Sequence, residues 1–271
     1  MLKGVSSHGI QWFPEFVNSS NIKTLKSWGS NVFRIALYTD EGGYLTNKNL
    51  KNKVYEMADL IINNDMYVII DWHILHDNNP LTNLESSKEF FKEVSTKYKD
   101  TPNVIYEICN EPNGNTTWDD VYTYANEVIK VIRENSKKSI IIVGTPTWSQ
   151  DIDKASLKPI PDNLVMYSLH FYSGTHKADL RNRLKSVIKK IPVFVSEFGV
   201  TDASGNGNIN LEEAKIWLDL LEENNISWIN WSLTNKNEDS AFLKQNAGYI
   251  DLTDEYLSIS GKFIKERLLN S

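Results

Sequence analysis

A single cysteine in 271 residues leaves no partner for an internal disulfide, and the place of Cys109 inside an apolar run makes a buried, inert thiol the expected state. Positive charge is also scarce: 29 Lys and Arg face 35 Asp and Glu, the formal charge is −6, and no basic run exceeds Lys137-Lys138 or Lys189-Lys190. That balance excludes a nucleic-acid surface and favours a neutral partner over a polyanion. No stretch approaches the ~18 apolar residues of a membrane span. Met1-Leu2-Lys3 runs into a strand-like segment with no charged-then-apolar leader, so an exported form is expected to have lost one. A Gly-rich phosphate cradle, a Gly-rich turn after the first strand, a G-x-S-x-G elbow and an H-E-x-x-H pair are all missing, which argues against dinucleotide, serine-nucleophile and zincin chemistry. No linker or low-complexity tract divides the chain, so residues 1–271 read as one domain.

What is present is a regular alternation. Short β-branched runs occupy Leu2 to Ser7, Asn31 to Leu37, Met66 to Trp72, Asn103 to Cys109, Ser139 to Gly144, Leu164 to His170, Pro192 to Ser196 and Ser227 to Leu233. Between and after them lie segments of helical period: Ser20 to Trp28, Leu50 to Asn64, Ser86 to Tyr98, Trp118 to Asn135, Lys177 to Lys190, Leu211 to Asn224 and Tyr256 to Leu269. Only the stretch near Gln150 to Leu157 is too short to be assigned. Eight strand-then-helix repeats demand parallel strands with helices outside, and eight is the number that closes a barrel, so the expected fold is an α/β (β/α)₈ (TIM) barrel.

In such a barrel the carboxyl ends of the strands converge on one pocket. The residues expected there are His8, Arg34, Asp71 with His73, Asn110 with Glu111, Trp148, His170 with Tyr172, Glu197 and Trp231. Strand parity puts Arg34, Ala36 and Tyr38 on one face, Asp71 with His73, and Ser168 with His170 and Tyr172. Glu107 shares the parity of Glu111 and is expected to point inward as partner to a buried donor. Two apolar runs ending in Glu111 and Glu197 suggest a two-carboxylate active site, because so many charged groups in a desolvated cup persist mainly where they serve function. A catalytic metal fits poorly: no H-x-H closes the first strand, and His73 and His76 lie in a loop-like stretch. Trp12, Trp148 and Trp231 fall at or after strand ends, whereas Trp28 and Trp217 read as core. Flat aromatic faces at a pocket rim suit the C–H faces of sugar rings.

Read together, Lys3-Gly4-Val5-Ser6-Ser7-His8-Gly9, Phe33-Arg34, Ile70-Asp71-Trp72-His73, Ile108-Cys109-Asn110-Glu111-Pro112-Asn113-Gly114, His170-Phe171-Tyr172, Ser196-Glu197-Phe198-Gly199 and Asn230-Trp231-Ser232 resemble a bacterial endoglucanase of glycoside hydrolase family 5. The resemblance implies that Glu111 is the acid/base and Glu197 the nucleophile, with Asn110 on the sugar 2-hydroxyl. It also implies that Arg34 and Tyr172 flank the nucleophile and that His73 and His170 line the reaction subsite. His8, Trp12, Tyr38 and Lys236 would contact the glycone, Trp231 would form the floor, and Trp148 would stack on the leaving-group side. A retaining double displacement on cellulose or related β-glucans follows, with no cofactor, a monomeric state and an extracellular site of action. Mannan, xyloglucan or mixed-linkage glucan as substrate, or a non-catalytic carbohydrate-binding barrel, are the alternatives. Nothing precedes Met1 where relatives have a β-hairpin, so the barrel floor is expected to be less covered.

Overall fold

The computed structural model describes residues 1–270. Eight parallel strands close on themselves in chain order: β1 (Lys3–Ser7), β2 (Val32–Tyr38), β3 (Tyr67–His73), β4 (Val104–Glu107), β5 (Ile141–Val143), β6 (Val165–Tyr172), β7 (Val193–Gly199) and β8 (Trp228–Leu233). Each is followed by a helix: α1 (Ser19–Ser27), α2 (Leu50–Ile62), α3 (Leu84–Lys97), α4 (Trp118–Asn135), α5 (Ile152–Leu157), α6 (Ala178–Val187), α7 (Leu211–Glu223) and α8 (Ile259–Leu269). The unassigned stretch is the short α5. No helix among the described residues is long and apolar enough to cross a membrane.

Local chemistry accounts for these elements. In α4 a reciprocal capping box joins Thr117 and Asp120, and Val121, Tyr124, Ala125, Val128, Ile129 and Ile132 recur at helical spacing on the buried face. Outward strand residues pack under the helices; the Phe171 and Trp217 rings, for example, stack at 4.1 Å and 10°. Trp217 is fully buried and Trp28 partly so, as expected of core residues.

The inward residues change character with height. Val32, Ile69, Ile105, Ile142, Phe194 and Ile229 form a dry floor, with partly exposed Leu2, Ile140 and Met166 against them. Above it, Arg34, Asp71, Glu107, Ser168 and Ser196 make a waist that is polar and fully buried. Ala36, Tyr38, Tyr172 and Trp231 form the rim.

The ends of β4 and β7 depart from the sequence pattern where it bears on the site, while β5 is shorter than expected and β6 runs on to Tyr172. The regular ladder of β4 ends at Glu107, not Cys109, although Asn110 N–H still donates to Trp72 O at 3.2 Å and Gly144 N–H to Cys109 O at 3.0 Å. Conversely, β7 continues through Gly199, because the charge of Glu197 is met inside the barrel and does not end the strand. Its register slips: Ser168 pairs with Phe194 but His170 with Glu197, so β7 carries one extra residue, and the pairing with β8 slips at the same place. This β-bulge re-aims the strand so that the consecutive residues Ser196 and Glu197 both face inward.

Candidate active site

Glu111 and Glu197 meet above the polar waist. A carboxylate oxygen of each, together with a ring nitrogen of His170, lies within 4.8 Å of the others. Glu111 sits half-buried just past β4 and bonds His170 Nδ1 through Oε1 at 2.9 Å. Glu197, 5% exposed, accepts from Tyr172 Oη at 2.8 Å on Oε1 and from Arg34 Nη1 at 3.0 Å on Oε2. Burial pushes the Tyr172 hydroxyl well above its usual range, and the charges of Glu197 and Glu111 add to this, so Tyr172 stays a donor.

Arg34 organises the waist. Its Nε donates to Glu107 at 2.7 Å and its Nη2 to Asn110 Oδ1 at 2.7 Å, with Asp71 Oδ2 3.0 Å from the same Nη2. Burial opposes its charge, but Asp71, Glu107 and Glu197 together raise its proton affinity above normal. Burial raises Asp71 well above the usual carboxylate range despite Arg34, whose single charge is shared with the other two acids. Glu107 thus points inward as partner to a buried donor.

Asn110 is fixed by its contacts: Oδ1 accepts from Arg34, and Nδ2 donates to Ile74 O at 3.1 Å and to His73 Nε2 at 3.2 Å. His73 must therefore carry its hydrogen on Nδ1, 2.6 Å from Asp71 Oδ2. Burial first, and Arg34 second, depress its pKa to about 4, so the ring is neutral between Tyr38 (4.1 Å) and Trp231 (5.3 Å). His8 is also neutral, held at about 3 by burial and by Lys236; its Nδ1 accepts from Gly9 N–H at 2.7 Å, and Lys236 Nζ lies 3.4 Å from Nε2.

Two adjoining cavities, about 250 and 380 Å³, share Glu111, Trp148, Tyr172 and Ala203 and so form one groove with the acid pair at its middle. His8, Tyr38, His73, Glu197, Trp231 and Lys236 line the first; His170, Gln150 and His176 line the second. Arg34 and Asn110 lie beneath the groove and do not line it. Trp12, 43% exposed, stands beside the lining, in ring contact with His8 at 5.6 Å and Tyr38 at 5.0 Å. Trp148, 46% exposed, is carried by a turn in which Thr147, Trp148 and Ser149 all have left-handed backbone (φ 58°, 52° and 56°). Such strain clusters where it aims a functional side chain. Trp148 N–H donates to Pro112 O at 3.0 Å and Ser149 Oγ to Asn110 O at 2.7 Å, tying this turn to the segment that carries Glu111.

Sequence reasoning did not single out Glu238, 2.6 Å from Lys236 Nζ, nor His176 or Gln150. All three lie on loops, where no periodicity marks direction. His76, 68% exposed in its side chain, pairs with Glu41 outside the groove. A metal held by Glu111, His170 and Glu197 would have to displace donors already on both Glu197 oxygens and sit against the Arg34 cation.

A parallel barrel with two close carboxyl groups at the carboxyl ends of its strands is the arrangement of the retaining glycosidase barrels. The chain belongs to glycosyl hydrolase family 5, the cellulase family, whose model matches residues 1–237. Endoglucanase A of Evansella cellulosilytica is 50% identical over all of this chain and 56% of its own length, and an endoglucanase of Clostridium saccharobutylicum is 48% identical over 98% of this chain and 61% of its own. This chain therefore spans little more than half the length of those relatives. The catalytic domain of Thermobifida fusca endoglucanase Cel5A, solved in complex with cellotetraose, superposes with a TM-score of 0.95 at 33% identity, covering 98% of this chain and 91% of that one.

Proposed function

We propose that this chain is a single catalytic domain with endo-β-1,4-glucanase activity on cellulose and related β-glucans, working by double displacement. The observation that carries the reading is the approach of Glu111 and Glu197 to within 4.8 Å in an open groove, since retaining enzymes need carboxyl groups about 5 to 5.5 Å apart and inverting ones a wider gap. Glu111, at the junction of the two cavities, gives its proton to the glycosidic oxygen as the C–O electron pair leaves with the departing sugar. Glu197, held by Arg34 and Tyr172, attacks the anomeric carbon from the other side. Water then opens the glycosyl ester, Glu111 takes its proton, and configuration is retained. The relatives' names, and cellotetraose in one of them, support a glucan chain as the ligand. The rim tryptophans suit its ring faces. A polymer that cannot cross a membrane places the action outside the cell, and the acidic surface suits a monomer.

The test is reducing-end release from carboxymethyl cellulose, barley β-glucan, mannan and xylan. The two glucans are the expected substrates, and Glu197→Ala and Glu111→Gln should abolish release while leaving the circular dichroism spectrum unchanged. Near-wild-type turnover in Glu197→Ala, or preference for mannan or xylan, overturns the proposal.

A further inference from the structure

Three consecutive left-handed residues carry Trp148, and none of them is glycine. The first, Thr147, is β-branched, and that type of side chain is a steric outlier at positive φ. L-residues take left-handed backbone as single positions and not as runs, so this turn persists only because its surroundings hold it. On its inner side Ser149 is gripped: its Oγ donates to Asn110 O at 2.7 Å and accepts from Thr145 N–H at 3.2 Å. On its outer side the grip is Asp151, which is 5% exposed. Its Oδ2 accepts from Thr147 Oγ1 at 3.0 Å and also meets Lys154 Nζ. Its Oδ1 accepts from Arg183 Nη1 at 2.7 Å, and the same Nη1 donates to Gln150 O at 3.1 Å.

Asp151 does not take the role its position offers. It stands at the N-cap of α5, where an aspartate ordinarily accepts from the helix's own N–H groups, yet its side chain makes no such bond. It reaches back to the strained turn and across to α6 instead, at the desolvation cost that a nearly buried carboxyl carries. Two acceptor oxygens let one side chain join a hydroxyl to a guanidinium in this way. The Trp148 indole, 46% exposed, is aimed by the backbone of the turn more than by packing. That ring lines both cavities of the groove, where they share Glu111.

We propose that Asp151, braced by Arg183, is a positioning residue for the leaving-group side of the groove: it holds Thr147 and so presets the turn that presents the Trp148 ring to the departing sugar. This deepens the glycosidase reading and rests on it, with Trp148 as the leaving-group platform. A turn held in advance needs no ordering when the glucan arrives, so the ring contact counts in full toward binding. Without the clasp Thr147 is free to leave the left-handed region, and part of the stacking free energy goes into restoring the turn. The loss then falls on the binding of sugars beyond the cleaved bond. Glu111, Glu197, Arg34 and Tyr172 make no bond to Asp151 or Thr147, so the reacting centre keeps its geometry.

The experiment compares kcat and KM for the wild-type chain, Asp151→Ala, Thr147→Val, Thr147→Ser and Trp148→Ala on two substrates. Cellopentaose has a sugar leaving group that reaches Trp148; the leaving group of β-cellobiosyl fluoride is a single atom that does not. Asp151→Ala should raise KM for cellopentaose about fivefold, the size of one aromatic contact, with kcat within about twofold and the kinetics on the fluoride unchanged. Thr147→Val, which keeps the shape but not the hydroxyl, should raise KM in the same way, and Thr147→Ser, which keeps the hydroxyl, should not. Asp151→Ala placed in Trp148→Ala should add little to the loss already there. Equal losses on both substrates, or additive losses in the double variant, overturn the proposal. Should Asp151→Ala not fold, the two Thr147 variants decide. The levels separate cleanly. No turnover of either substrate by the wild-type chain sinks the glycosidase reading. An unmoved KM in Trp148→Ala removes the leaving-group platform and the proposal with it, whereas a raised KM there with an unmoved one in Asp151→Ala and Thr147→Val sinks only the clasp.

Discussion

Arg34 Nε, Nη1 and Nη2 reach three different carboxylates, and Nη2 also holds the Asn110 amide, all without exposure to solvent. A planar fork with five fixed donors can do this; an ammonium group, with one point of charge on a flexible stem, cannot. Arg34→Leu would leave Asp71, Glu107 and Glu197 facing one another without a cation. Removing one partner of a buried ion pair costs about 3–5 kcal/mol, so urea unfolding at pH 7 should lose that much, with turnover falling at least about a hundredfold. Arg34→Lys should fall between the variant and the wild type in both measurements. A stability loss below about 1 kcal/mol for Arg34→Leu would mean that the waist relaxes by protonation and that Arg34 does not hold it together.

At the level of elements, β6 and β7 carry the heaviest constraint. Tyr172 pairs with Gly199, and a Cβ on Gly199 would lie 2.5 Å from Tyr172 Cδ1 and closer still to Cε1. Gly199→Ala should therefore push the Tyr172 ring off Glu197. The expected cost is about 1–3 kcal/mol of overpacking together with a kcat loss close to that of Tyr172→Phe, and the double variant should be little worse than either. Additive kcat losses would show that the glycine acts elsewhere. The same elements show how far the sequence could be read. Period-2 parity correctly turned Arg34, Asp71, Glu107, Ser168, His170 and Tyr172 inward, because it holds wherever a strand is regular. It could not find the bulge in β7, which depends on cross-strand register and leaves no mark in a single chain, so Ser196 was read only as a serine beside a glutamate. Nor could it see that charge compensation by Arg34 lets β7 run past Glu197. The strained turn under Trp148 has no glycine to announce its left-handed backbone, and the loop residues Glu238, His176 and Gln150 carry no period at all.

For the molecule as a whole, the site's histidines set how stability depends on pH. Burial depresses His8 to about 3 and His73 to about 4 and also lowers His176, whereas the carboxylates around His170 hold it at about 9. A depressed histidine binds fewer protons folded than unfolded, so its contribution is complete above about pH 6.5 and is lost as pH falls toward its folded value. A raised histidine contributes fully below about pH 6.5 and loses that contribution as pH climbs to its folded value. Asp71, raised by burial, acts in the same direction as His170. Between pH 4.5 and 6.5 three lowered histidines oppose Asp71, so stability should rise with pH, by roughly 1.4 kcal/mol per net proton per pH unit. Between 6.5 and 9 the contribution of His170 is lost and reduces it. Urea midpoints at pH 4.5, 6.5 and 8.5 should accordingly peak at the middle value, and a monotonic rise to pH 8.5 would contradict an imidazolium at His170 between Glu107 and Glu111.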